Sequence, residues 1–229
     1  MGISLFLPVR TGSTRAINKN TRPFAPNGDS LVHIKLSQLI KVKDFYEIIF
    51  STNCPIALKI AEDFKTLDER IKIIRRPEEL CQNNTKVGDI IKYVTTLTNS
   101  DHIMWTHVTS PFVNEHDFRS AIKTYMEVLD HSHDSIVSFN KLQNFIWDND
   151  EKQVVNNKSK ENRWPNTQDL KPLYEINHAF YLTSRNIYIE RNDRVGSNPF
   201  LYECEGEKRI DIDWEFDFQF AQKVYRCVQ

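Results

Sequence analysis

Short apolar runs rich in β-branched residues alternate with longer amphipathic stretches over the first 140 residues, and this alternation constrains the fold most. Ile3–Val9, Tyr46–Ser51, Ile71–Ile74, His102–Val108 and Ser135–Phe139 read as strands. Helical spacing falls between them. One segment contains Leu31, Ile34, Leu39 and Ile40; Pro55–Phe64 places Ile56, Ile60 and Phe64 four residues apart; Val87–Leu97 and Phe112–Leu129 follow. Strands alternating with helices predict βαβ units and an α/β fold around a mostly parallel sheet. Right-handed crossovers bring the C-terminal strand ends to one edge, where such sheets bind ligands.

The alternation stops near residue 140, where a polar tract with Asn-Asp and Asn-Asn turn signals begins. The expectation is one domain over residues 1–229 with a hairpin-rich arm inserted at about 140–175. A core strand at Ile176–Leu182 then resumes the sheet, and a last strand at Arg209–Ile212 feeds a helix over Glu215–Tyr225.

Lys plus Arg number 30 and Asp plus Glu 31, so no general attraction to nucleic acid or a membrane surface is expected. Any basic site must be local. Cys54, Cys81, Cys204 and Cys227 form no CxxC pair, which argues against zinc and a disulfide framework. Ile3–Val9 is short for a signal-peptide core, and its arginines follow it. A cytoplasmic protein without membrane spans is the expectation.

The first strand runs into a loop, Arg10–Asn20, that carries Arg10, Arg15 and Lys19 with Gly12 and Ser13 between them. Backbone amides with guanidinium and ammonium groups suit a polyphosphate. The loop matches neither a Walker loop nor GxGxxG. A solvated basic loop would have the same composition; its place after strand one favours phosphate. Near the C-terminus, Asp211 and Asp213 alternate with Ile210 and Ile212, which on a strand puts both carboxylates on one side. A hard cation such as Mg²⁺ would relieve their repulsion. The alternative is a solvated strand end with Asp213 capping the last helix. His107, Thr109 and Ser110 close the fourth strand at the ligand edge, and Pro111 and Phe112 are placed at the start of the next helix.

Six blocks resemble, in order, the sugar-acid cytidylyltransferases, the family of CMP-N-acetylneuraminate synthetase. "PVRTGSTRAINKN" resembles its RxGSxRxxxKN signature, and "IIFSTNCPIALKIAEDF" its second strand, STD turn and helix. "RRPEEL" resembles RPxxL, "WTHVTSPF" resembles LQPTSPL, "TQDLKPLYEINHAFYL" resembles RxQxLPxxYxxNGAxYL, and "IDIDWEFDF" resembles the DIDxxxDF ending. Together they cover nearly the whole chain.

The resemblance implies a Rossmann-like, mixed, mostly parallel sheet flanked by helices, with a small β-hairpin dimerisation arm. It implies transfer of CMP from CTP to a nine-carbon sugar acid with release of pyrophosphate. Arg10, Gly12, Ser13, Arg15, Lys19, Asn20 and Arg76 are its nucleotide-binding positions. His107, Thr109, Ser110, Gln168, Tyr174 and Asn177 are its acceptor-side positions. Asp211 and Asp213 hold Mg²⁺ or Mn²⁺, and with Arg10 and Lys19 they carry the catalysis. Asp217 is read as helix structure, and Trp105 and Phe118 as core. A homodimer is implied, with each arm crossing to its partner's site. The chain departs from the pattern at Thr14, Asn53, His107, Val108 and His178, the last replacing a glycine. Two other readings stay open: a non-catalytic nucleotide or sugar binder, and a metal-dependent DxD glycosyltransferase.

Overall fold

The computed structural model describes residues 2–157, Ser159 and 161–228; Lys158 and Lys160 of the expected arm lie outside them. Strand β1 (Ile3–Val9) runs parallel between β2 (Phe45–Thr52) and β4 (His102–Thr106), and β3 (Ile71–Arg75) continues the parallel set beside β2. With β5 (Ser135–Leu142), β8 (Leu173–Ser184) and β9 (Pro199–Glu203), the seven-stranded order is β3-β2-β1-β4-β8-β5-β9. Strand β8 is antiparallel to β4 and β5, and β9 is parallel to β5. The sheet is thus mixed and mostly parallel, as expected.

Six helices cover it: α1 (Leu31–Leu39), α2 (Pro55–Leu67), α3 (Val87–Thr95), α4 (Glu115–Leu129), α5 (Arg185–Arg191) and α6 (Glu215–Cys227). The period-two pleat of β1 divides its side chains between two apolar layers. Leu5 and Leu7 pack with Leu36, Ala57, Phe118 and Ala221 from α1, α2, α4 and α6. Phe6 packs on the other face with Ile91, Val94 and Tyr188 from α3 and α5. A strand buried on both faces reads as a continuous apolar run, which is why β1 is plain in sequence.

The structure corrects several expectations. The segment Arg209–Ile212 is not a strand: a 3₁₀ turn spans Gly206–Arg209, and the extended residues after it join no ladder. The edge position belongs instead to β9, and the Ile212 N–H bonds the Thr109 carbonyl across the sheet edge. Helix α4 starts at Glu115, not Phe112. Asn114 caps it by accepting the His116 N–H at 2.9 Å, while the Asp117 carboxylate accepts the Asn114 N–H at 3.0 Å. Strand β4 ends at Thr106, leaving His107 and Val108 in the turn beyond. Ile56 is exposed, because α2 buries Ala57, Leu58, Ile60 and Ala61 instead.

In the arm, β6 (Trp147–Asp148) and β7 (Gln153–Val154) form a small antiparallel pair. Phe145, Trp147 and Trp164 are exposed there, with Arg163 over both indoles. Where β8 returns, its register against β5 slips: Val137 faces Tyr181, but Phe139 faces Ile176. The surplus residues bulge at Asn177–Ala179, and His178 takes φ of +59°, the region natural to the glycine it replaces. Asn177 is buried and secures the bulge, its side-chain amide donating to Asn140 Oδ1 at 3.0 Å and its Oδ1 accepting from the Ala179 N–H at 3.2 Å. No helix among the described residues is long and apolar enough to cross a membrane.

Lys35 of α1 lies in the core and donates to the carbonyls of Ser110 at 2.9 Å and Val113 at 2.7 Å, so it holds the loop that follows β4. Burial pushes its ammonium down to about 7, against smaller upward effects of Asp117 and Glu115. A neutral amine still has two N–H groups for two carbonyls. Between pH 7 and the unfolded value near 10.5, the unfolded chain binds more protons than the folded one, so stability rises with pH there. Urea midpoints at pH 7 and pH 9.5 should therefore rise for the wild type relative to Lys35→Met. Equal slopes for the two proteins would refute the buried titration.

Candidate active site

The loop leaving β1 is shaped by its own backbone. Gly12 sits at φ of +81° and Asn18 at +52°, both left-handed, and buried Ala16 anchors the middle. Asn53, at the end of β2, accepts the Thr11 N–H and donates to the Thr11 hydroxyl, both at 3.1 Å, and donates to Glu78 at 3.0 Å. It therefore ties two loops together rather than closing a turn on itself. Arg10 reaches the Asn83 side chain at 2.9 Å.

Lys19 is almost buried, and its ammonium donates to the Ile212 carbonyl and to Asp213 Oδ1. Arg15 reaches the same Asp213 oxygen at 2.9 Å and lies over the Trp214 ring. Arg15 and Lys19 of the loop thus meet Asp213, although neither Asp211 nor Asp213 lies on a strand. Asp217 accepts the N–H groups of Asp213 at 3.1 Å and Trp214 at 2.7 Å, so it, and not Asp213, caps α6.

Asp211 is largely buried, and burial raises its carboxyl to about 6, while a hydrogen bond from Thr109 opposes the shift and the charge of Asp213 adds to it. Its Oδ1 is buried without a hydrogen-bond partner. An orphaned buried carboxylate oxygen beside a second carboxylate suits a hard cation. No group of three or more His, Cys, Asp or Glu fit to hold a metal occurs among the described residues. Mg²⁺ takes one or two carboxylates and completes its shell with phosphates and water. Asp211 and Asp213 therefore fit the ion.

A cleft of about 290 Å³ opens at the C-terminal strand edge, lined by Arg10, Lys19, Asn20, Arg76, His107 and Thr109 among others. Arg76 is buried under the end of β1, donates to the Val9 carbonyl, and is held below its ordinary range by burial; it pairs with neither Glu78 nor Glu79. Trp105, read as core, is buried but also lines the cleft. Leu80, Gln82, Asn83 and Thr85 complete the wall, and nothing in their types marked them beforehand. A larger hollow of about 790 Å³ lies at the opposite strand edge, beside Gly2, Glu47 and Lys72, far from this chemistry.

Four acceptor-side residues, Ser110, Gln168, Tyr174 and Asn177, are not in this wall. Gln168 and Tyr174 are exposed beside the arm, and Asn177 serves the β8 bulge. Ser110 is buried, its carbonyl taken by Lys35 and its hydroxyl without a partner. The bulge instead carries His178 toward His107, with ring centroids 6.3 Å apart. His178 Nδ1 shares a 2.6 Å hydrogen bond with the Tyr181 hydroxyl, and the Arg194 guanidinium lies 3.8 Å from the Tyr181 ring centroid and 4.8 Å from that of Trp105.

The family model described as cytidylyltransferase matches residues 5–226. The chain belongs to the cytidylyltransferase family. Curated relatives named N-acylneuraminate cytidylyltransferase, from Streptococcus agalactiae serotypes V and III, are 23% identical over 219 residues, 93% of this chain. The chain spans about half, 50%, of the length of those relatives. Among solved structures, 4-diphosphocytidyl-2C-methyl-D-erythritol synthase from Anaerococcus prevotii is similar with a TM-score of 0.67 at 17% identity, covering 98% of this chain and 96% of that one. CMP-2-keto-3-deoxy-manno-octonic acid synthetase in complex with CTP is similar with a TM-score of 0.68 at 10% identity over 100% of both chains. At these identities the two structures speak for the fold.

Keeping Asp211 ionised in its buried setting costs stability. Its folded value of about 6 exceeds the ordinary 3.8, so the folded state loses stability as pH climbs from 4 to 6, and the loss is complete above 6. In metal-free buffer at pH 7, Asp211→Asn should melt at the same temperature as the wild type or higher, and any gain should vanish toward pH 4. Thermal melting across that range checks this; a lower melting temperature at pH 7 would count against it.

Proposed function

We propose that the chain is a CTP-dependent nucleotidyltransferase that joins CMP to a nine-carbon sugar acid of the sialic acid type and releases pyrophosphate. The observation that carries this reading is the meeting of Lys19 and Arg15 with Asp213, at the edge of a cleft that Arg10 and Asn20 also line. A triphosphate requires both halves of that arrangement: cations for its oxygens and carboxylates for its counter-ion. The names of the curated relatives support the acceptor class.

In this reading the acceptor's anomeric hydroxyl attacks the α-phosphorus in line with departing pyrophosphate. Positioning and charge neutralisation do most of the work. Arg10 and Lys19 stabilise the triphosphate and the leaving group, with Gly12, Ser13, Arg15 and Asn20 presenting loop donors around them. Arg76 fixes the end of β1 and faces the nucleotide. Asp211 and Asp213 would hold Mg²⁺ or Mn²⁺, which when bound supplies charge neutralisation at the phosphates. His107, Thr109 and Ser110 stand on the acceptor side.

A homodimer belongs to the same reading. Gln168 and Tyr174 do not line their own chain's cleft, as suits an arm that serves a partner's, and the arm exposes Phe145, Trp147 and Trp164. Three of the departures from the family pattern leave the local structure intact. Asn53 still fixes the loop, Val108 packs in the core, and His178 keeps a glycine's backbone angle.

The test is pyrophosphate release from CTP and Mg²⁺ with N-acetylneuraminate, legionaminate, pseudaminate and 3-deoxy-manno-octulosonate. Release is expected with a nine-carbon acid. Lys19→Ala and Asp211→Ala should each lower turnover by about 100-fold or more while remaining folded. Tight CTP binding without release for any acid would identify the non-catalytic binder.

A further inference from the structure

Arg194 and His178 hold none of the site positions that the resemblance implies, and they adjoin His107, which holds one. Arg194 follows α5, and the Asp193 carboxylate fixes its backbone by accepting the N–H groups of Arg194 at 2.7 Å and Val195 at 3.1 Å. The guanidinium rests on two buried aromatic rings, Tyr181 and Trp105. Trp105 also lines the cleft, so Arg194 packs against a residue of the cleft wall, and its charge reaches His107, another lining residue. Among the described residues no carboxylate pairs with Arg194.

The neighbours are basic as well. His178 is joined to Tyr181 and faces His107, and the charge of Lys19 is felt at His107. Burial, followed by the nearby charge of Arg194, holds both imidazoles below their ordinary range, His107 well below it. A guanidinium already packed against aromatic rings loses less freedom when it forks onto a carboxylate. His178 occupies its place with a left-handed backbone angle, a local strain of the kind that collects at functional sites.

We propose that Arg194, with the imidazoles of His107 and His178 beside it, binds the carboxylate of the acceptor and so turns the anomeric hydroxyl toward the nucleotide. This rests on the sugar-acid reading above. The phosphates have their own cations on the β1 loop, so Arg194 is assigned to the acceptor and not to CTP.

The experiment is calorimetric binding of N-acetylneuraminate, of its C1 methyl ester and of CTP to the wild type, Arg194→Gln and Arg194→Lys, with melting curves for each. The wild type should bind the acid about tenfold or more tighter than the ester, as befits a lost charge-assisted pair. In Arg194→Gln the acid should fall to the ester's affinity, with CTP binding changed less than about twofold. Arg194→Lys should lose part of the preference, and it carries the comparison if Arg194→Gln unfolds. Weaker CTP binding with the acid preference intact would overturn the assignment, and so would equal binding of acid and ester, or no binding of the acid, by the wild type. Failure of the wild type to bind CTP would instead overturn the cytidylyltransferase reading, while the acid-ester comparison still decides Arg194.

Discussion

A lysine ammonium removed from water needs acceptors, and those of Lys19 come from nearly the other end of the chain. Its partners are the Ile212 carbonyl and Asp213, 193 and 194 residues away. The same stretch donates the Ile212 N–H to Thr109, so the β1 loop, the β4 turn and the approach to α6 become one unit. Arg22 extends it, bonding Glu215 at 2.8 Å with its guanidinium 3.7 Å from the Phe218 ring centroid. The arrangement of the site thus follows from meeting the hydrogen-bonding needs of one nearly buried cation.

The parallel half of the sheet was legible because burial on both faces writes a mostly apolar run into β1 and into the Ile48–Phe50 stretch of β2. The second half was less so. Strand β9, PFLYE, begins with proline and is only half-buried at a sheet edge, so its pattern is weak. Helix α5 is seven residues long, too short for its period to stand out. The IDID segment shows the converse: period two without a ladder, because its N–H groups are used across the sheet edge and in the α6 cap.

The site was legible where chemistry forces residue type. Loop cations and paired carboxylates can be named from sequence because few other side chains could do their work. Arg194 left no such mark: its meaning comes from two rings that β4 and β8 bring beneath it. His178 was visible only as an oddity at a glycine position. The bulge that explains it is a matter of register between β5 and β8, which pattern alone does not fix.

The span between Lys19 and Asp213 also bears on the order of events during synthesis. The first four strands lie within the first 106 residues, and β1, β2 and β3 pair without waiting for distant chain. The site's two charged halves meet only after residue 213 has been made, when most of the sheet can already exist. Contacts of such long separation are slow to form, and until then the basic loop lacks its acidic counterpart. The pairing of the basic loop with Asp213 is therefore a late step relative to the pairing of the first parallel strands.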